Sequence, residues 1–259
     1  MLILIAGDLH GAWSSLQQKI DLVRAKCGIE AVIQVGDFGF YRSTFKNLDC
    51  SKKKFSIPVY AIDGNNEDHN WLARAEKKEL IKKWQLELNL FYQPRPSVAA
   101  IGGKLVGFLG GALHVIRDQE HNWISGRSNY IKQSQTSHAA DLFNQHKPDL
   151  IVTHSCPAGI GIGLQGSRFL ELSLWQNVVN AGFDPGPQQD RGEDALRELW
   201  QKLEHRPAAW VFGHFHEHAL KNISGTYFAC AGEIVNEEPS ASPVLLWDSA
   251  NSSLQWFTL

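Results

Sequence analysis

Residues 2–11 read Leu-Ile-Leu-Ile-Ala-Gly-Asp-Leu-His-Gly, a short apolar run followed at once by a turn that carries an aspartate and a histidine. An unbroken apolar run of this length is typical of a strand that is buried on both faces of a sheet. Residues 13–25 then place apolar side chains at helical spacing, and residues 31–37, Ala-Val-Ile-Gln-Val-Gly-Asp, repeat the pattern of a strand followed by an aspartate. The start of the chain therefore predicts βαβ units and an α/β fold.

The rest of the chain continues this alternation and ends in a β-rich tail. We expect further strands at 59–62, 149–153 and 208–212, helices at 67–90, 133–146 and 195–203, a hairpin at 98–109, and short strands from 219 to 258. Because no linker divides the chain, we predict a single domain over residues 1–259. The segment 159–190 is punctuated by Gly and Pro around an apolar middle, and we interpret it as an insertion or lid that borders the site and shapes substrate choice.

The composition excludes several classes of protein. The formal net charge is −2, with 43% hydrophobic and 20% charged residues, and the absence of a basic excess disfavours nucleic acid as a partner. No apolar run approaches the roughly 20 residues that span a bilayer, so we expect no membrane partner. The four cysteines form no CxxC pair and no signal peptide precedes them, which predicts reduced thiols and a cytoplasmic location.

Polar clusters follow five of the predicted strands directly, and each one supplies an imidazole, a carboxylate or an amide oxygen. Groups beyond the carboxyl ends of strands converge on one crevice of an α/β sheet. A lone histidine or Gly-Asp pair after a strand is usually a packed or turn residue, but five such clusters in a consistent order indicate a metal site. Their number is too large for one tetrahedral ion and suits two. The candidate ligands are Asp8, His10, Asp37, Asn65, His154, His214 and His216.

Taken in chain order, Asp-x-His, Gly-Asp, Gly-Asn, a lone His and Gly-His-x-His resemble the motifs of the calcineurin-like metallophosphoesterase superfamily, and residues 32–40 with 62–65 are similar to an uncharacterised bacterial branch. The resemblance implies a four-layer α/β/β/α fold, in which a central β-sandwich is flanked by helices. It also implies a binuclear centre, with Asp37 as the catalytic carboxylate that bridges two ions. It assigns Asp8, His10 and His216 to one ion, and Asn65, His154 and His214 to the other.

The chain departs from the family pattern beside the third cluster. Family members commonly carry Gly-Asn-His-Asp/Glu, whereas Asn66 stands at the position of the histidine that protonates the leaving group or contacts phosphate. We predict Asn66 as a catalytic and substrate-binding residue that donates an N–H, and His69 as a candidate replacement for the acid. The arginines of the middle loops can clamp a phosphate, and among them we predict Arg127 as substrate-binding. The sequence after Asp37 lacks x-x-Asp-Arg-Gly, which disfavours the protein serine/threonine phosphatases.

These features predict a phosphoesterase that hydrolyses a phosphodiester or phosphoanhydride of a small phosphorylated substrate through a metal-activated hydroxide. A diester or anhydride is favoured because Asn66 cannot protonate a leaving group. An alkyl monoester has a poor leaving group, and its expulsion benefits strongly from such an acid. The ligand set suits Mn²⁺, Fe, Co, Ni or Zn, and two divalent ions are expected, with Mn²⁺ as the leading candidate. The alternatives are a phosphomonoesterase, a nuclease of the same fold and a non-catalytic interaction module. Oligomeric state is left open.

Overall fold

A computed structural model describes residues 1–46, 54–77, 79–112, 130–162, 190–234 and 243–259. Within these ranges the chain forms twelve strands and six helices. The strands are β1 (Leu2–Ala6), β2 (Ala31–Gln34), β3 (Val59–Ala61), β4 (Leu90–Tyr92), β5 (Ser97–Ile101), β6 (Lys104–Leu109), β7 (Leu150–Thr153), β8 (Ala209–Phe212), β9 (Ala219–Ile223), β10 (Thr226–Cys230), β11 (Val244–Asp248) and β12 (Ser253–Phe257). The helices are α1 (Trp13–Cys27), α2 (Arg42–Lys46), α3 (His69–Lys77), α4 (Leu80–Leu88), α5 (Gln133–His146) and α6 (Asp194–Lys202).

The strands form two mixed sheets of six strands each. The first sheet has the order β12-β11-β1-β2-β3-β4, and the second has the order β5-β6-β7-β8-β10-β9. In the first sheet β1, β2, β3 and β4 run parallel, and in the second β6, β7 and β8 run parallel. The carboxyl ends of parallel strands lie at the same edge of a sheet, so the turns after β1, β2 and β3 are neighbours, as are those after β7 and β8.

Three hydrophobic clusters show how the layers stack. Alternate residues of β1 point to opposite faces, so Ile3 and Ile5 pack between the two sheets while Leu4 and Ala6 pack under the helices. The cluster between the sheets also contains Val106 of β6 and therefore joins one sheet to the other. Helices α1, α3 and α4 cover the outer face of the first sheet, and α5 and α6 cover that of the second. This arrangement is the four-layer α/β/β/α fold, which confirms the predicted fold class.

Most predicted elements are confirmed, and one is wrong. The hairpin of β5 and β6 turns at Gly102 and Gly103, as expected. The single helix predicted for 67–90 is instead two helices, α3 and α4, because Glu79 before α4 adopts a left-handed backbone with φ of 56°. Most of the predicted lid, residues 163–189, lies outside the described residues, and the single-domain assignment stays a prediction. No helix in the described parts of the chain is both long and apolar enough to cross a membrane.

Candidate metal centre

The candidate ligands come from turns at the carboxyl ends of β1, β2, β3, β7 and β8. The backbone holds these turns together: the amides of Leu9 and His10 both donate to the carbonyl of Asp37, over 3.0 and 2.7 Å. Four candidate ligands adopt positive φ without being glycine, a conformation that costs energy and concentrates at functional sites. These residues are His10, Asp37, His214 and His216, with φ of 46°, 51°, 70° and 53°.

The first group of candidate ligands consists of Asp8, His10 and His216, each of which offers one ligand atom within 4.8 Å of the others. His216 Nε2 lies 3.3 Å from Asp8 Oδ1, and the rings of His10 and His216 lie 5.6 Å apart. On its other side, His216 Nδ1 lies 3.2 Å from Glu233 Oε2. Because that carboxylate can accept a hydrogen bond from Nδ1–H, Nε2 is the nitrogen that faces Asp8 and the centre of the group.

The second group consists of Asp8, Asp37 and His154, so Asp8 belongs to both groups. His154 Nε2 lies 3.4 Å from Asp37 Oδ1, and His154 Nδ1 hydrogen-bonds the carbonyl of Val35 over 2.8 Å. Because the carbonyl accepts a hydrogen bond from Nδ1–H, Nε2 is the nitrogen that faces the centre. Asn65 Oδ1 lies 3.1 Å from the same Nε2 atom.

His214 lies beside this second group rather than inside it. Its ring packs edge-on against His154 with the centroids 4.9 Å apart, and its backbone amide donates to Asp8 Oδ2 over 2.8 Å. The other oxygen of Asp37, Oδ2, lies 3.9 Å from His10 Nδ1. The two oxygens of Asp37 therefore face the two groups, which is the position that a bridging carboxylate needs.

Two observations indicate that the candidate ligands suit a pair of hard or borderline cations. Asp8 Oδ1 is buried, and its neighbours are His216 Nε2 at 3.3 Å and His154 Nε2 at 3.8 Å, two nitrogens that can bind the same cations as the carboxylate. The turns also leave no room for larger residues, since a Cβ on Gly64 would lie 2.1 Å from Asp37 Oδ1. Carboxylate and imidazole donors of this kind suit Mn²⁺, Fe, Co, Ni or Zn.

Electrostatic attraction between the buried charged groups of the site offsets the cost of their burial. Burial works against the charged forms of both Asp37 and His154, but their mutual attraction outweighs it. The pKa of Asp37 lies far below its ordinary value, and that of His154 is raised to about 10. Burial and the charge on His154 lower the pKa of His214 to about 3, so its imidazole is neutral and has a lone pair available for a metal.

The predicted catalytic and substrate residues have different locations. Asn66 is exposed at the site: its backbone amide donates to Asp37 Oδ1 over 2.8 Å, and its side-chain amide donates to Oδ2 over 2.7 Å. His69 is buried against Asp63, with Nδ1 3.4 Å from Asp63 Oδ2. Arg127 lies outside the described residues. The catalytic, substrate-binding and ligand roles assigned from the sequence stay predictions, and what the structure adds is their placement.

Two further carboxylates support the site and were not singled out by the sequence. Glu67 accepts the backbone amide of Phe38 over 2.8 Å and that of Gly39 over 3.1 Å, so it holds the turn that follows Asp37. Glu67 belongs to the third polar cluster, and that membership is the sequence feature that could have pointed to it. Glu233, beside His216, follows β10 in a stretch with no comparable pattern.

The fold and the paired carboxylate–imidazole groups together define a class, the α/β metalloenzymes with a candidate two-ion site between two sheets. The sequence model of the calcineurin-like phosphoesterase family matches residues 1–218, and the chain belongs to that family. Members of this family are hydrolases that use a dimetal centre, and the present chain contains candidate ligand groups for one.

Individual proteins resemble the chain at low sequence identity. The lariat debranching enzyme of Saccharomyces cerevisiae is 24% identical over 251 residues, which cover 85% of this chain and 58% of that protein. The chain thus spans less than two thirds of the length of this relative. A crystal structure of a dimetal phosphatase from Danio rerio has a TM-score of 0.58 at 11% identity, covering 95% of this chain and 91% of that one. The crystal structure of TT1561 of Thermus thermophilus also has a TM-score of 0.58, at 12% identity and with 99% and 98% covered. These two likenesses support the fold alone.

Proposed function

We propose that the chain is a metal-dependent phosphodiesterase that hydrolyses a phosphodiester or phosphoanhydride bond. The observation that carries the metal requirement is the pair of candidate ligand groups that share the buried carboxylate of Asp8. Two divalent ions bound there would supply a clamp for the phosphoryl group and an acidified water. The name of the yeast relative, a lariat debranching enzyme, describes cleavage at a branch and is compatible with such a bond.

The residues of the chain divide this work between them. Asp8 would contribute to both ions because it belongs to both candidate groups, and Asp37 would help to hold both because its oxygens lie near His10 and His154. The remaining ligands would be His10 and His216 with the first ion, and Asn65, His154 and His214 with the second. The Val35 carbonyl accepts from His154 Nδ1, and the Glu233 carboxylate lies beside His216 Nδ1. These two contacts would keep the Nε2 atoms of both histidines oriented inward.

The preference for a diester or anhydride rests on Asn66. Its backbone amide donates to Asp37 Oδ1 and its side-chain amide donates to Oδ2, and the residue lies on the exposed side of the site, where a substrate would arrive. An amide N–H can position a phosphate oxygen, but it cannot transfer a proton to a leaving group. General acid catalysis typically contributes about 10²–10⁴-fold, so a site without an acid should favour leaving groups that depart with little protonation.

The test compares bis-p-nitrophenyl phosphate with an alkyl monoester in the parent and in Asn66→His, each loaded with Mn²⁺. We expect the parent to prefer the diester and Asn66→His to gain monoester activity, because the new imidazole can supply the proton. Asn70→His, an exposed position on α3, is the matched control and should change neither rate. A parent that already prefers the alkyl monoester, with no response to Asn66→His, would refute the proposal.

The nuclease alternative is tested in the same series. Single-stranded RNA, single-stranded DNA and a branched oligonucleotide are added to the panel beside cyclic nucleotides and dinucleoside polyphosphates. The net charge of −2 predicts weak binding to long polyanions, so we expect small phosphodiesters to be the better substrates. Faster turnover of an oligonucleotide than of every small diester would favour the nuclease. A chain that holds no metal after loading would favour the non-catalytic interaction module.

A further inference from the structure

Asp63 and Arg95 form a buried ion pair just outside the candidate metal centre. Their side chains are 3% and 6% exposed, and the Arg95 guanidinium donates through Nη2 to Asp63 Oδ2. Removal of one partner from a buried ion pair is strongly unfavourable, because the other charge then stays buried without compensation. The pair therefore holds together the two segments of chain that carry these residues.

The pair joins one ligand turn to the crossover between the two sheets. Asp63 begins the turn after β3, residues 63–66, and stands two residues before Asn65. Arg95 lies between β4, an edge strand of the first sheet, and β5, an edge strand of the second. Its guanidinium also donates to the carbonyl of Tyr130 over 3.2 Å, shortly before α5, which covers the second sheet. Arg95 thus connects a turn of the first sheet to the structure of the second.

The second sheet receives this pair at two glycines that follow β6. The backbone amide of Gly111 donates to the carbonyl of Asp63 over 2.8 Å. A Cβ on Gly110 would lie 2.3 Å from Asp63 Oδ1, and a Cβ on Gly111 would lie 2.4 Å from Arg95 Nη1. Because glycine has no Cβ, both side chains of the pair can pack directly against the backbone of this turn.

The same ligand turn contacts the metal centre with the residue that follows Asp63. A Cβ on Gly64 would lie 2.1 Å from Asp37 Oδ1 and 2.7 Å from His154 Nε2, so the Gly64 backbone packs directly on both side chains. Asn65 Oδ1 lies 3.1 Å from His154 Nε2. His154 follows β7 of the second sheet, whereas Asn65 follows β3 of the first. The approach of these two ligands therefore depends on how the turn is held against the second sheet.

We propose that the ion pair of Asp63 and Arg95 is a positioning device that sets the reach of Asn65 toward His154, and thereby the affinity of the second ion. The inference rests on the metal centre of the proposed function, which it deepens by assigning positioning residues to one ligand turn. Both residues act through the backbone of Gly64 and contact neither ion. Replacement of residues that orient metal ligands typically changes metal affinity by about 10–100-fold.

The test disturbs Asp63 in two independent ways. Arg95→Met removes the charge of its partner, and Arg95→Lys keeps a positive charge without the planar guanidinium. Gly110→Ala keeps both charges and displaces Asp63 by the steric contact with its carboxylate. Gly107→Ala, on β6, is the matched control, because its Cβ would lie 2.8 Å from the ring of Phe143, in the core beneath α5.

Two measurements separate the position of the turn from metal binding. Hydrogen exchange of the Asn66 backbone amide, followed by NMR in metal-free protein, reports the position of the turn, because this amide donates to Asp37 Oδ1 over 2.8 Å. The amides of α6 serve as the reference for opening of the whole fold. Mn²⁺ binding in competition with a chelator reports the affinity of each ion.

In Arg95→Met and Gly110→Ala we expect exchange at Asn66 to rise about tenfold or more relative to exchange in α6. Affinity for one Mn²⁺ ion should fall about 10–100-fold in the same variants, less in Arg95→Lys, and not in Gly107→Ala. If Arg95→Met does not fold, Gly110→Ala and Arg95→Lys decide the question.

Parent-like exchange at Asn66, or parent-like Mn²⁺ affinity, in Arg95→Met and Gly110→Ala overturns the positioning role. An equal loss of Mn²⁺ affinity in Gly107→Ala also overturns it, because lost stability would then be the cause. A parent that binds no Mn²⁺ refutes the proposed function instead. Exchange at Asn66 in the metal-free variants then still decides whether the pair positions the turn.

Discussion

Removal of the Glu233 carboxylate should weaken one metal ion of the pair selectively. Glu233 Oε2 lies 3.2 Å from His216 Nδ1, and His216 Nε2 lies 3.3 Å from Asp8 Oδ1 on the opposite side of the ring. Loss of a carboxylate that orients a metal-ligating histidine typically costs 10–100-fold in metal affinity, or about 1.4–2.7 kcal/mol. Because the His216 side chain is 33% exposed and that of Glu233 14%, solvent screens the pair, and we expect about tenfold for Glu233→Ala.

The assay is Mn²⁺ binding in competition with a chelator, because it resolves a tighter and a weaker ion separately. Glu233→Ala should weaken only the ion held by the first group. Glu233→Gln keeps an oxygen that can accept from Nδ1, and it should stay within about threefold of the parent. Glu198→Ala on the surface of α6 is the control for loss of a glutamate. Unchanged affinities in Glu233→Ala, together with unchanged ¹⁵N shifts of His216, would refute an orienting role for this carboxylate.

The fold could be predicted from the sequence because its strands are short apolar runs that end at polar turns. The turns after β1 and β2 lie side by side because these strands are parallel neighbours, which the βαβ pattern already implied. The break between α3 and α4 was missed because residues 67–90 contain no Gly or Pro, and helical spacing of apolar residues continues across it. Both helices bury apolar side chains, such as Leu72 and Trp84, in the same cluster, so tertiary packing rather than local propensity places the turn at Glu79.

The site could be predicted from the sequence less completely than the fold, for a physical reason that Glu67 and Glu233 illustrate. A ligand directly after a strand is placed by the strand itself, and its position can therefore be inferred from the local pattern. Glu233 meets His216 only because the loop after β10 packs against the turn after β1, where the amide of Ile234 donates to the carbonyl of Asp8. Such a contact depends on sheet order across the whole chain. The oxygens of Glu67 likewise accept from the backbone amides of Phe38 and Gly39. These residues are far from Glu67 along the chain, so local residue spacing does not predict the contacts.

Three further predictions concern the metal centre itself. Asp37→Ala should reduce Mn²⁺ from about two ions per chain to one or fewer while circular dichroism stays that of folded protein, and retained activity would contradict a bridging role. Gly36→Ala should displace His154, because its Cβ would lie 2.3 Å from Nδ1, whereas Gly28→Ala meets no atom within 4 Å. Both substitutions bear the cost of about 1–2 kcal/mol for a left-handed backbone, but the clash with His154 belongs to Gly36→Ala alone, so this variant should lose more metal and more stability than Gly28→Ala. The last prediction follows from the pKa of His154, which Asp37 and Asp8 raise to about 10 against the opposing effect of burial. At neutral pH this imidazole is protonated and cannot ligate, so metal binding must release its proton. Apparent affinity should therefore rise about tenfold per pH unit from neutrality toward that pKa, and fall as the pH is lowered. Calorimetry in two buffers of different ionisation enthalpy should report about one proton released per chain, with a further fraction from His216, whose pKa is raised by Asp8 and Glu233 against the opposing effect of burial. Equal heats in the two buffers would mean that His154 does not ligate the metal.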